Sequence, residues 1–484
     1  MDKNSSITGN LTWKFLERIS AQLISTIVSI LLARILDPSH YGVISIVMVF
    51  ITIANIFVSD GFGSALIQKK DASAIDFFSV LYFNLLFSAF LYLILFIAAP
   101  YITQFYGEGY EILTPVLRVL GLRIIFSAIN SVQQAYVSKM MMFKKFFIST
   151  LSGTILSAIV GIIMAYSGFG VWALVAQNLV NTSVNTIVLA AVIGRRPQFI
   201  FSFMSLKELF PYGARILGAG LLISGYQEIK SLIVGKIYSS EDLAYYDRGK
   251  SFPSLIITNI NTSIGAVLFP KLASEQDDRK RVKEMTRMSI RFSSYIMSPM
   301  MLGLAAVASP LIKVLLTDKW SECIPLLQMF CVIYLFQPIN TANMQAIKAI
   351  GKSGVYLGLE IVKKVIELIV LLLVMRISVE AIVVSTLVCT VCFTFMNMIP
   401  NTKLLQYRFK EQISDLFPNL GLSLVMFLIV YAIQFLAINN LVTLIIQVFV
   451  GIAIYLLLSI LVKKKEFVYL KNMLLNKLHR KKEQ

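Results

Sequence analysis

Apolar stretches of about 20 residues recur from one end of this 484-residue chain to the other. Each is long enough to cross roughly 30 Å of hydrocarbon as a helix. Hydrocarbon offers no partner to a free N–H or C=O, so a spanning segment must be a helix or part of a closed barrel. The stretches are continuous rather than alternating, which excludes the barrel. Charged residues make up only 14% of the chain, against about 25% in a soluble domain, so most of the surface does not face water. The fold class expected is all-α integral membrane, with about 14 transmembrane helices over 11–36, 41–67, 76–99, 111–136, 146–166, 171–193, 209–237, 243–269, 288–312, 322–347, 354–375, 378–400, 415–437 and 440–462. No small-residue cleavage site ends the first run, so a retained helix is expected there rather than a signal peptide.

The net charge of +18 raises the question of nucleic acid, but the placement of the charges answers it. On alternate sides of the spans, Lys and Arg number twenty-eight against about five. The rich side holds Lys69 and Lys70, Lys139 to Lys145, Arg195 to Lys207, Lys271 to Arg291, Lys348 and Lys352, Lys403 to Lys410 and the tail from Lys463. Positive loops stay in the cytoplasm. Both termini are therefore expected there, in a multi-pass protein of the bacterial cytoplasmic membrane. Attraction to anionic membrane lipids is a secondary effect of the same charge. The outer loops are short, the longest being 101–110 and 315–321, and leave no room for an outer catalytic domain. That counts against a membrane glycan polymerase or ligase.

The chain also repeats itself. Ala33-Arg34-Ile35 and Gly235-Lys236-Ile237 follow the first and seventh spans at an offset of 202, as do Lys69 and Lys271 after the second and eighth. Pro115 and Pro325 are offset by 210, Gln134 and Gln345 by 211, and Ala173 and Ala381 by 208. A six-span unit inserts the same way up twice, so its copies are related by an axis along the membrane normal. The expected organisation is an N-terminal six-helix lobe (1–200), a C-terminal six-helix lobe (201–405), two additional helices (406–463) and a basic tail (464–484), with a pathway between pseudo-two-fold-related lobes.

Ionisable groups inside spans cost about 2.5–3.5 kcal/mol each on insertion scales and usually face a cavity or one another. Lys14, Arg18, Gln22, Ser25 and Ser29 form one stripe of the first span. Arg118, Arg123, Ser127, Asn130 and Gln134 form another in the fourth, and Asn178, Asn181 and Asn185 a third in the sixth. The seventh carries Arg215, and the eleventh carries Glu360, Lys363, Lys364 and Glu367 on one face. Substrate contacts are expected from Lys14, Arg18, Arg118, Arg123, Arg215 and Lys363, in a hydrated cavity of net positive charge. The competing reading is snorkelling and helix-to-helix pairing. Asp60, Glu360 and Glu367 are the titratable candidates for ion coupling. Gly351-Lys352-Ser353 ends like a phosphate-binding loop, but Ala346 breaks the spacing. Movement must then draw on a proton or sodium gradient, or on the substrate's own. Cys389 and Cys392 form a C-x-x-C within a span and are expected to pack, not to hold metal. No catalytic group, metal site or cofactor is expected.

Several segments together resemble the oligosaccharide/polysaccharide flippases of the multidrug/oligosaccharidyl-lipid/polysaccharide exporter superfamily. They are Leu31-Leu32-Ala33-Arg34-Ile35-Leu36-Asp37-Pro38 with Tyr41-Gly42, Ser64-Ala65-Leu66-Ile67-Gln68-Lys69, Gly170-Val171-Trp172-Ala173-Leu174, Tyr245-Tyr246-Asp247-Arg248-Gly249 and Phe269-Pro270-Lys271-Leu272. The resemblance implies an alternating-access transporter, not an enzyme. It implies an undecaprenyl-diphosphate-linked oligosaccharide as cargo, with polymerase and glycosyltransferases as pathway partners. A drug/cation antiporter and a peptidoglycan-precursor flippase are near neighbours in the superfamily. The antiporter fits less well, because the intramembrane charge leans basic.

Overall fold

The computed structural model describes residues 3–194, 198–436, 438–469 and 471–472. Arg195, Arg196 and most of the basic tail lie outside the described residues. All regular structure described is helical. In chain order the helices are α1 (Lys3–Ile35), α2 (Pro38–Asn55), α3 (Gly61–Gln68), α4 (Ala74–Tyr106), α5 (Leu113–Gly121), α6 (Arg123–Lys139), α7 (Phe143–Tyr166), α8 (Val171–Ile193), α9 (Phe203–Gly220) and α10 (Tyr226–Ile237). They continue with α11 (Ser240–Ser274), α12 (Arg279–Ala306), α13 (Ala308–Leu315), α14 (Cys323–Tyr334), α15 (Gln337–Ala349), α16 (Ser353–Val374), α17 (Val379–Leu404), α18 (Phe409–Ala432) and α19 (Asn440–Leu461). A π-helical turn at Ile56–Asp60 joins α2 to α3, and another at Leu221–Gly225 joins α9 to α10.

Local chemistry sets these boundaries. Pro38 stands in the first turn of α2, where its missing N–H is harmless. Ser73 and Asp76 form a capping box at the start of α4. The Ser378 hydroxyl accepts from Ala381 N (3.0 Å) and starts α17. The tight turn from α7 to α8 uses Gly168 and Gly170 at φ of 80° and 55°. Large apolar side chains point outward along the helices, Leu86, Phe449 and Leu373 being 70–75% exposed. That surface suits lipid, not water.

Ten described helices are long and apolar enough to span, or eleven if α12 and α13, which meet at 65°, count as one. The shortfall from fourteen falls on the charged segments. α16 carries Glu360, Lys363, Lys364 and Glu367, and α11 opens with Glu241, Asp242, Asp247, Arg248 and Lys250. Helix starts repeat at the offsets found in the sequence: Pro38 and Ser240 are 202 apart (240 − 38), Phe143 and Ser353 are 210 apart (353 − 143), and Val171 and Val379 are 208 apart (379 − 171).

By contact the chain divides into Met1–Ala244 and Tyr245–Gln484. The seventh span, counted by the repeat with the second lobe, clusters with the first unit, because α9 packs on α3 and α10 on α2. Two close approaches explain this. A Cβ on Gly61 would lie 3.1 Å from the Gly213 carbonyl oxygen, and one on Gly42 would collide with the carbonyl of Ser240. In the first unit, Ala65, Leu66, Phe77, Val80, Val132, Leu206 and Leu209 form one buried cluster. On α7, Gly153, Ser157, Gly161 and Ala165 recur every fourth residue and are buried. Small residues at that spacing let α8 approach closely, where dispersion replaces the hydrophobic effect as the main attraction in lipid. In the second unit the core is Leu272, Val282, Ile290, Ile339, Ala346, Tyr407 and Leu416 with their neighbours.

Candidate functional site: a polar cavity in the first unit

The polar stripes of the fourth and sixth spans converge inside the first unit. A cavity of about 430 Å³ is lined by Arg123, Ser127, Asn130, Ser131, Gln134 and Ser138 of α6 and by Asn181, Thr182 and Asn185 of α8. Asn55, Ser59 and Ser64 close it from α2, the π turn and α3. The α6 residues share a face because they fall three or four apart. A smaller cavity of about 200 Å³ adjoins at Asn181, with Ser25 of α1, Thr154 and Ser157 of α7, and Gln177 and Asn178 of α8.

Arg123 is the only charged side chain lining either cavity among the described residues. Its Nε donates to Thr182 Oγ1 (3.0 Å) and its Nη1 to Asn178 Oδ1 (3.3 Å), while Met48 Sδ lies 3.3 Å from Nη1. Neutral dipoles therefore orient the guanidinium without neutralising it. Gln134 Nε2 donates to Asn130 Oδ1. Asn55 Oδ1, Asn130 Nδ2 and Asn185 Oδ1 are buried with no hydrogen-bond partner among the described residues. Such atoms are costly unless a guest or water satisfies them. The arrangement can hold a polyhydroxylated guest by amide and hydroxyl hydrogen bonds and one anionic group by Arg123.

The π turn at the cavity wall is held by Asn84 of α4, which is 1% exposed and donates to the Val58 carbonyl (3.0 Å). An extra residue in a helix frees a carbonyl, and Asn84 satisfies it. The sequence reading missed Asn84. Its signal was a lone amide in an otherwise apolar stretch of the third span.

The other candidates lie elsewhere. Lys14 is exposed, with Nζ 5.2 Å from the centroid of Phe143, and Arg18 is exposed too. Arg118 packs on α4, donating to the Phe96 carbonyl (3.3 Å) with its guanidinium 4.3 Å from that ring's centroid. Arg215 is exposed on α9. Lys363 is buried in the second unit and donates to Glu360 (2.6 Å), and Lys364 donates to Glu367 (3.2 Å). Asp60 ends the π turn, and its side chain lies outside the described residues. Several basic stripes were expected to make one cationic cavity; the cavity in the first unit holds a single cation among neutral amides. Snorkelling and short-range pairing account for the positions of Lys14, Arg118 and Lys363.

The repeat-related positions of the second unit are arranged differently. Asn340, 210 residues after Asn130 (340 − 130), donates to Thr394 (3.0 Å) and accepts from Asn397 (2.8 Å). Asn343 donates to Gln412 (3.0 Å) and accepts from Asn401 (2.6 Å). These amides bond to one another through their NH2 groups, leaving Asn397 Oδ1 and Asn401 Oδ1 buried without a partner among the described residues, and at the same offset Arg123 is matched by Ile333.

A family model described as "Polysaccharide biosynthesis protein" matches residues 31–325. The chain belongs to this polysaccharide biosynthesis family. Among curated family relatives, the succinoglycan biosynthesis transport protein ExoT of Rhizobium meliloti (strain 1021) is 24% identical over 351 residues, covering 72% of this chain and 70% of its own length. The lipopolysaccharide biosynthesis protein WzxC of Escherichia coli (strain K12) is 22% identical over 312 residues, covering 64% of this chain, which spans 63% of that relative's length. The fold is that of the lipid II flippase MurJ in an inward closed conformation (TM-score 0.76, 15% identity, 93% of this chain and 98% of that one). An inward-facing multidrug resistance MATE transporter is also similar (TM-score 0.62, 15% identity, 79% and 95%). This polysaccharide biosynthesis protein is thus a multi-pass membrane protein, all-helical among the described residues, with the fold of that flippase.

Proposed function

We propose that the protein flips polyprenyl-diphosphate-linked oligosaccharide repeat units from the cytoplasmic to the outer leaflet by alternating access, for cell-surface polysaccharide biosynthesis. The observation that carries this reading is Arg123, a cation without a carboxylate in a cavity of amides and hydroxyls. Sugar hydroxyls match the neutral donors and acceptors, and a phosphate or acidic sugar matches the guanidinium. Charge asymmetry supports a cytoplasmic-membrane location with both termini inside. In this reading polymerase and glycosyltransferases act after and before the protein in its pathway.

A drug/cation antiporter needs an anionic cavity, and no described carboxylate lines this one. Glu360 pairs with Lys363 three residues on and Glu367 with Lys364 three residues back, so an ion-coupling role for either requires that pair to open. A proton or sodium gradient is the proposed energy source, tested by collapsing each gradient in turn. The decisive experiment is Arg123→Ala, with Arg123→Lys beside it, in cells that depend on this protein for surface glycan. The alanine variant should leave repeat units in the inner leaflet, and lysine should restore part of the movement. Full surface glycan with alanine would remove Arg123 from the site.

A further inference from the structure

A second charged pocket lies in the second unit, where α12 and α18 begin on the side that carries most Lys and Arg. It has a volume of about 840 Å³ and is lined by Lys283 and Arg287 of α12, and by Arg408, Lys410 and Glu411 around the start of α18. Its floor is a closed ion cluster. Buried Asp415 accepts from Arg287 Nε (2.7 Å) and Nη2 (3.1 Å), from Arg291 Nε (2.6 Å) and from the Tyr407 hydroxyl (2.7 Å). Lys283 Nζ donates to Glu411 (2.9 Å) and to the Gln406 carbonyl (2.8 Å).

Five cations therefore stand against two carboxylates. The interior pairs hold Lys283 and Arg287 in place without spending the excess. Arg408 and Lys410 are exposed and have no carboxylate within ion-pair reach among the described residues. Just along α18, Phe417 is 61% exposed and Pro418 is exposed. Along α18, exposed cations are thus followed within two turns by exposed apolar residues, as at the boundary of headgroup and acyl chain.

We propose that this pocket binds a phosphate ester, by Arg and Lys donation to its oxygens. A lipid headgroup and a free phosphate offer the same oxygens, and the exposed apolar residues that follow along α18 favour the headgroup of an anionic lipid in the facing leaflet. Bound there, it ties α18 of the additional helix pair to α12.

The test uses the full chain in dodecyl maltoside. Native mass spectrometry reads retention of added phosphatidylglycerol against phosphatidylcholine, and a second arm adds inorganic phosphate alone and follows thermal unfolding. The wild type should retain phosphatidylglycerol preferentially. Arg408→Gln with Lys410→Gln should lower that preference roughly thirtyfold, at about 1 kcal/mol per basic residue near an anionic surface. Lys280→Gln with Lys352→Gln, exposed lysines outside the pocket, should not. Lys410→Gln alone serves if the double variant fails to fold. Stabilisation by inorganic phosphate that competes with the lipid supports the pocket with a free phosphate as source. Equal retention of the two lipids with no effect of phosphate, or a pocket variant that behaves like the wild type, overturns the proposal.

Discussion

At the residue scale, the cavity depends on positions where one atom decides the fit. A Cβ on Gly153 would sit 2.8 Å from the Asn181 carbonyl oxygen and 3.2 Å from Asn185 Cβ. Gly153→Val should therefore push α8 and its amides away from α7, costing about 1–3 kcal/mol as overpacked sites do. Thermal unfolding in detergent measures the cost, and a melting temperature equal to the wild type would contradict it. Asn84→Leu should cost about 1–3 kcal/mol by leaving the Val58 carbonyl without a donor in lipid, read in the same assay. Arg123, Asn130, Gln134, Asn178, Asn181 and Asn185 were legible in the sequence because helical spacing puts them on shared faces. Their openness was not legible, because Asn130 and Asn340 look alike on paper. Whether such an amide faces a cavity or another amide depends on packing, which spacing does not encode. Lys363 misled for a related reason. A lysine in a span signals exposure to polar surroundings, but Glu360 one turn back supplies them.

At the element scale, α9 and α10 are fastened to the rest of the first unit at both ends. Near the start of α9, Lys69 donates to Asp76 (3.1 Å) and to Glu208 (2.9 Å), and Ser205 donates to Asp76. The bond to Glu208 holds the Lys69 ammonium above the ordinary lysine range. In the last turn of α10, the Tyr110 hydroxyl donates to the Gly235 carbonyl (3.1 Å), and Lys236 donates to the Phe105 carbonyl. Gly42 marks the closest approach along this seam. Gly42→Ala should destabilise the protein by about 1–3 kcal/mol. Gly218→Ala on α9, where a Cβ meets nothing, should be neutral or stabilise by up to about 1 kcal/mol through helix propensity. Differential scanning fluorimetry of the pair checks this, and equal melting temperatures would refute the close packing. The sequence showed the helices themselves and their repeat. It did not show the breaks at Leu122 or at the two π turns, since no proline stands at any of the three.

At the scale of the whole molecule, orientation rests on the charge count, and a labelling experiment decides it. Ser167→Cys, exposed in the turn between α7 and α8, should react with a membrane-impermeant maleimide added outside the cell. Lys144→Cys, exposed at the start of α7, should react only after permeabilisation. The opposite pattern would invert the topology and with it the proposed direction of movement. The native cysteines require a parallel control, since Cys392 is exposed.

The contrast between the amides of the two units bears on how such a protein diversifies. A doubled helix plan gives two versions of the same α6-to-α8 and α15-to-α17 face. One, with Asn340, Thr394 and Asn397, is cross-linked by its own hydrogen bonds and has Ile333 where the other has Arg123, with Asn397 Oδ1 left buried and unpartnered among the described residues. The other keeps Asn55, Asn130 and Asn185 unsatisfied around Arg123. A change in the closed version breaks existing bonds and is penalised in folding. A change in the open version, at an amide that keeps an atom unpartnered, alters chiefly what the cavity accommodates. Under the proposed function, variation in preferred glycan is thus expected to accumulate in one half of the doubled plan while the other serves as ballast, and exchanging the α6–α8 segment between relatives should carry specificity with it.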